Sequence, residues 1–190
     1  MNKKLIAITL FSIAMGLLEA AVVVYLRKLL YNGGFDFPVQ PISDTTIAIT
    51  EILREAATLT MLFTIAYIYG KTLISRFAAF LFSFAVWDVF YYVFLKVLFG
   101  WPESMFTWDV LFLIPVTWVG PVLAPVLVSY TMIAFAFVFW NADKNQKSAG
   151  ANSTEWTGFI LGAFVIFVSF ILDPMLHIIE NDALKEDNKQ

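Results

Sequence analysis

Five carboxylates interrupt stretches of this chain that are otherwise apolar: Glu19, Glu51, Glu55, Asp88 and Asp173. Around them stand Arg54, Tyr91, Tyr92, Lys96 and His177. A charge in a membrane-crossing helix costs roughly 2.5–3.5 kcal/mol on insertion scales, so such residues face a bundle interior or a water-filled cavity and mark function by default. Glu51, Glu55 and Thr58 follow an i, i+4, i+7 pattern and share one helical stripe, with Arg54 beside it. Asp88, Tyr92 and Lys96 share a second stripe, and Asp173 and His177 a third. Like charges one turn apart repel, so Glu51 and Glu55 need Arg54, a shared proton or a bound cation. Against five carboxylates the set offers Arg54, Lys96 and a proton on His177, which leaves at least two carboxylates without a full-charge partner. Those two are either protonated at neutral pH or hold a cation.

The chemistry that suits this set is acid–base or cation-assisted work. Glu55, Asp88 and Glu19 are the candidate acids and bases, because a carboxyl kept neutral in a dry site donates and recovers a proton. Arg54, Tyr92, Lys96 and Glu51 are the candidates to orient a substrate, Arg54 through its planar fork of donors to an anionic head group. Asp173 and His177 are the candidate metal pair, with a divalent cation as a candidate cofactor, the cofactor otherwise being left open and neither haem nor an iron–sulfur cluster expected. Each residue also has a structural role open to it. Arg54 with Glu51 or Asp88 would fix helix register, Lys96 would reach the interface, and Asp173-Pro174 would mark a kink. Gly158 and Gly162 form a GxxxG that permits close helix contact, expected to serve packing within the bundle.

The elements that must position these residues follow from composition. The chain has 190 residues, 60% hydrophobic, 17% aromatic and 14% charged, with a mean hydropathy of +0.78. Soluble domains run at roughly 45–50% apolar and about 25% charged, so a soluble globular domain is excluded. Twelve Lys and Arg against 15 Asp and Glu leave a net charge of −3 and no basic surface for nucleic acid. The absence of cysteine removes disulfides, thiolate nucleophiles and iron–sulfur clusters, and a single histidine removes two-histidine haem sites. Gly-rich phosphate loops, Gly-x-Ser-x-Gly and His-Glu-x-x-His are also absent.

A membrane-crossing helix needs roughly 20 apolar residues, and five windows qualify. They are 5–26, 46–69, 73–98, 117–140 and 156–179, in one transmembrane domain spanning 1–190 with a polar tail at 180–190. The expected fold is therefore an all-α membrane bundle of five helices. Met1 to Ala20 imitates a secretory signal, but the apolar run continues to Leu26, so an uncleaved first helix is expected. The stretch from Val110 to Trp140 is longer than one span needs and carries Pro115, Pro121 and Pro125. Proline removes a donor and clashes with the preceding turn, so a short helix or re-entrant piece is expected from Thr107, acting as its N-cap, followed by a break and then the true span. One long kinked helix is the alternative.

The Lys and Arg bias of the short loops orients the bundle. An inside N-terminus places Lys3, Lys4, Lys71, Arg76, Lys144 and Lys147 on the cytoplasmic side, and leaves Arg27, Lys28, Lys185 and Lys189 outside with the C-terminus. On alternating spans Glu19, the Glu51–Arg54–Glu55 group, Asp88, Asp173 and His177 then all fall in the outer half. This convergence survives reversal, because all five spans flip together.

The segments Glu51-Ile-Leu-Arg54-Glu55-Ala-Ala-Thr58, Val86-Trp87-Asp88-Val-Phe-Tyr91-Tyr92, Gly100-Trp101-Pro102, Thr107-Trp108-Asp109 and Val119-Gly120-Pro121 resemble a family of small bacterial multi-pass inner-membrane proteins. The resemblance covers most of the chain and implies a bacterial envelope setting; it brings no activity, substrate or catalytic residue. Three functions compete. The first is an intramembrane site opening to the outer leaflet that works on a lipid or envelope amphiphile. The second is an accessory or scaffold subunit, and the third a proton- or cation-coupled transporter. The lipid bilayer is the expected partner in each, with a homodimer or a membrane-complex partner left open. Enzyme status stays open.

Overall fold

The computed structural model describes residues 3–30, 44–113, 118–145, 154, 157–158 and 160–172. The chain is helical, and four of its helices are long and apolar enough to cross a membrane: α1 (Lys3–Leu30), α2 (Thr45–Tyr69), α3 (Leu73–Phe99) and α4 (Leu123–Lys144). A shorter apolar helix, α5 (Ile160–Leu172), lies within the fifth window, whose flanks fall outside the described residues. Between α3 and α4 stand two short strands, β1 (Trp108–Phe112) and β2 (Trp118–Pro121), paired in a two-stranded sheet. Their connection is too short for a parallel crossover, so they form an antiparallel hairpin.

Local chemistry sets the helix ends. The Asp44 carboxylate accepts from the N–H groups of Thr46 (2.8 Å) and Ile47 (3.2 Å) and so caps α2. Thr72 does the same for α3, its hydroxyl accepting from the Ser75 N–H at 3.0 Å. α3 stops at Gly100, whose φ of 73° is the left-handed conformation that lets its N–H return to the Lys96 carbonyl. The turn between α2 and α3 is tight enough to need Gly70, since a Cβ there would fall 2.4 Å from the backbone nitrogen of Arg76.

The ends of α1 and both ends of α4, which runs to Lys144, differ from the sequence expectation. α1 continues past Leu26 to Leu30 because Arg27, which reads as the start of a loop, is buried with its guanidinium carbon 3.5 Å above the centre of the Trp101 ring. The proline-broken segment precedes the fourth span as expected, but its backbone is a hairpin and not a short helix. Trp, Val, Leu and Phe favour a pleated backbone, and the prolines forbid a helix through the same stretch. Thr107 therefore caps no helix. Its hydroxyl accepts from the Ser104 N–H at 3.1 Å, inside the loop that leads to β1. The fourth span begins at Leu123 rather than near residue 117, with Pro125 in its first turn, where the missing N–H would have had no helical partner.

The chain divides into two compact units. The first comprises residues 1–34, 56–107 and 121–150. In it α3 packs against both α1 and α4. One apolar cluster joins Ile8, Ala66, Ala78, Ala79, Phe82, Val86 and Ala136. A second joins Ala20, Tyr92, Leu95, Val122 and Val126. α1 and α3 approach most closely at Gly16, where a Cβ would fall 2.9 Å from the Trp87 carbonyl oxygen and 3.0 Å from the Tyr91 nitrogen. Only glycine permits that crossing. The start of α1, the α2–α3 turn and the end of α4 share one end of this unit. There the Lys4 ammonium reaches the Tyr69 carbonyl (3.5 Å), Thr72 donates to Asp143 (2.7 Å), and the Trp140 indole donates to the Ser75 carbonyl (3.3 Å).

The second unit comprises residues 35–55, 108–120 and 151–190. Its hairpin packs on α5 through Trp118, whose ring meets Phe167 edge-on at 4.9 Å. Gly120 lies against Phe170, where a Cβ would sit 3.3 Å from the ring. Gly158 and Gly162, expected to pack closely within the bundle, instead face open space among the described residues.

Candidate functional site

In the first unit the polar side chains form a layer between the two apolar clusters. On α3, Asp88 lies between Val86 of one cluster and Tyr92 of the other. On α4, Ser129 lies between Val126 and Ala136. The Ser129 hydroxyl, itself fully buried, donates to the Asp88 carboxylate at 2.8 Å and ties α4 to α3. On α1, Glu19 lies one turn beyond Gly16, and Gly16 touches the α3 backbone from Trp87 to Tyr91, the turn that carries Asp88. The buried Thr58 hydroxyl of α2 donates to Glu19 at 3.3 Å. Glu19 and Asp88 thus come from facing helices within about a turn of one another, each half-buried and each accepting a hydroxyl from a further helix.

Below this layer the polar side chains turn inward on their own helices. Ser12 donates to the Ile8 carbonyl at 2.8 Å and Ser83 to the Phe80 carbonyl at 3.1 Å, both buried. Such bonds satisfy the hydroxyl within the helix and offer no stepping stone along the bundle.

The remaining candidates of the first unit take other positions. Lys96 donates to the carbonyls of Gly100 (3.2 Å) and Pro102 (2.7 Å), so its ammonium closes the end of α3 and pins the loop beyond it. Tyr92 is buried among rings, edge-on to Tyr91 at 4.8 Å and 6.4 Å from Trp101. Asp88, Tyr92 and Lys96 share a helical stripe as the spacing requires, and Asp88 carries the bond to α4.

The second unit holds its own carboxylates. Glu51 receives Arg54 on one oxygen, from Nε at 2.9 Å and from a terminal nitrogen at 2.8 Å. Both Glu55 oxygens accept from the backbone N–H of Leu113, at 2.9 and 3.0 Å. The repulsion anticipated between Glu51 and Glu55 is met by giving each a different donor, a guanidinium on one and a hairpin amide on the other. Glu55 thereby satisfies a backbone N–H that follows β1. In the same hairpin Asp109 is fully buried, with 1% of its surface exposed. Sequence reasoning did not single out Asp109 among the candidate carboxylates. It missed Ser129 as well, because that residue lies 41 positions from Asp88 and nothing local to either marks the pair.

Asp173 and His177, the candidate metal pair, lie outside the described residues. Among the described residues no group of three or more His, Asp or Glu side chains converges as a metal site would require.

No family model matches the chain, and no curated protein or solved structure is similar to it. The functional reading therefore rests on the residues themselves.

Proposed function

We propose that this membrane protein carries an intramembrane acid–base site in which Glu19 and Asp88 act on a lipid or another envelope amphiphile. The observation that carries the reading is the polar layer itself: two carboxylates from facing helices within about a turn of one another, each hydrogen-bonded to a hydroxyl, with apolar clusters flanking them. A Ser–carboxylate pair of this kind can pass a proton, and dry surroundings strengthen every electrostatic contact the layer makes with a substrate. On this reading the protein belongs to the bacterial inner membrane, as does the small multi-pass family it resembles. The lysine-rich end of the first unit faces the cytoplasm under the positive-inside rule, with the C-terminus outside and the polar layer toward the outer leaflet.

The test is the pH dependence of phospholipid binding to the full chain in nanodiscs, for the wild type and for Glu19→Gln and Asp88→Asn. The reading expects a binding profile that changes with pH in the wild type and flattens in both variants. Profiles identical in all three proteins remove it.

A specific observation favours a second reading for the other unit, an accessory or scaffold role. Glu51 and Glu55 are committed to Arg54 and to the hairpin backbone, which is how a side chain fixes register. Purification as a stable lone chain, with Glu55→Ala losing stability and nothing else, supports that division of labour.

A further inference from the structure

Beyond the carboxylate layer, the first unit has an open groove of about 610 Å³ between α2 and α3, next to their turn. On α3 the groove ends at Phe80, eight residues before Asp88, which is about 12 Å along a helix. It is thus a separate feature. Its walls are Phe63, Tyr67, Leu73, Phe77 and Phe80, with Phe63 and Phe80 stacked at 4.3 Å. The Thr64 hydroxyl in the wall is spent on the Thr60 carbonyl at 2.7 Å, so the interior presents hydrocarbon and rings.

One cation stands in this lining. The Arg76 guanidinium lies over the Tyr67 ring, 3.8 Å from its centre, and its Nε donates to the Gly70 carbonyl at 3.1 Å. Those two contacts fix the plane of the guanidinium and leave its terminal nitrogens for another acceptor; among the described residues no carboxylate pairs with Arg76. Exposed Lys71 is in the adjoining turn, and Lys3 and Lys4 at the start of α1 and Lys144 at the end of α4 belong to the same end of the unit. An apolar channel that opens at a fixed guanidinium beside further lysines matches an amphiphile with a hydrocarbon tail and an anionic phosphodiester at its head.

We propose that the α2–α3 groove is a seat for an anionic phospholipid in the leaflet at the basic end, with an acyl chain along Phe63, Phe77 and Phe80 and the phosphate on Arg76. A zwitterionic lipid offers the same chain but cancels the attraction at the head, so the seat discriminates by headgroup.

The experiment is native mass spectrometry of the full chain from detergent, with phosphatidylglycerol and phosphatidylcholine of matched chains added at one pH. A basic side chain near a lipid head contributes about 1 kcal/mol, so retention of phosphatidylglycerol should exceed that of phosphatidylcholine by about five-fold. Arg76→Gln should erase the preference, while Lys144→Gln leaves most of it. Thr64→Trp, which fills the groove and keeps the cation, should lower retention of both lipids, and inorganic phosphate should fail to displace either. A preference that persists in Arg76→Gln overturns the seat. So does an equal loss in Lys144→Gln, which marks diffuse surface charge, or displacement by inorganic phosphate, which marks a free-anion site. If Arg76→Gln does not fold, unaltered phosphatidylglycerol retention by Thr64→Trp overturns it alone.

Discussion

The two units treat buried carboxylates in different ways. In the first, Asp88 and Glu19 accept from hydroxyls carried by other helices, so each bond joins two side chains, both free to rotate once the bond opens. In the second, Glu51 is held by a guanidinium one turn away, and Glu55 by a backbone amide that has no other way to leave its place. A side chain bonded to backbone anchors an element. Paired side chains between helices keep the capacity to change partner and protonation state. On the proposed reading the second unit anchors and the first carries the chemistry.

Substitutions sharpen or break that contrast, beginning with the largest effect. Gly16→Leu forces a side chain against the α3 backbone, where a Cβ alone would sit 2.9 Å from the Trp87 oxygen. It should destabilise the first unit by about 3 kcal/mol and disturb the level at which Glu19 meets α3. Thermal unfolding in detergent checks it, and an unchanged midpoint would mean the helices have room to part. Glu55→Ala leaves the Leu113 N–H without its acceptor and should cost about 2 kcal/mol, with faster hydrogen exchange at Leu113. Glu55→Gln keeps a carbonyl acceptor and should lose less; equal losses would show that the charge matters and not the anchor. Asp88→Ala should cost about 1.5 kcal/mol and Ser129→Ala about 1 kcal/mol, with the double variant losing less than the sum. Strict additivity in that cycle would deny the pair. The smallest effect belongs to Thr58→Val, about 0.5 kcal/mol, because its bond to Glu19 is long at 3.3 Å.

Much of the fold can be read in the sequence, and particular residues show where reading stops. α2 and α3 begin and end within a residue of the apolar windows, because Asp44, Gly70, Thr72 and Gly100 punctuate them by local rules. α1 runs longer than expected because a sequence reader treats Arg27 as water-seeking, and only the tertiary position of Trp101 lets it be buried. The segment before α4 reads correctly as broken by proline, but its pairing as strands depends on an acceptor supplied by Glu55, 58 residues away from Leu113. That Glu19 and Asp88 fall within about a turn of one another on spans running the same way is legible because helix direction alternates and rise per residue is fixed. Their hydroxyl partners are not, since Ser129 and Thr58 differ in no local respect from the many Ser and Thr that bond to their own helices, as Ser12, Thr60 and Thr131 do.

On the proposed function the first unit's carboxylates exchange protons inside the membrane. Infrared difference spectroscopy of the full chain in lipid, between mildly acidic and mildly alkaline buffer, reads carboxyl groups directly. The account predicts a titrating carboxyl band that is lost in Asp88→Asn or Glu19→Gln and kept in Glu55→Gln. A band that is unaltered in both Asp88→Asn and Glu19→Gln, or one that disappears only with Glu55, would contradict it.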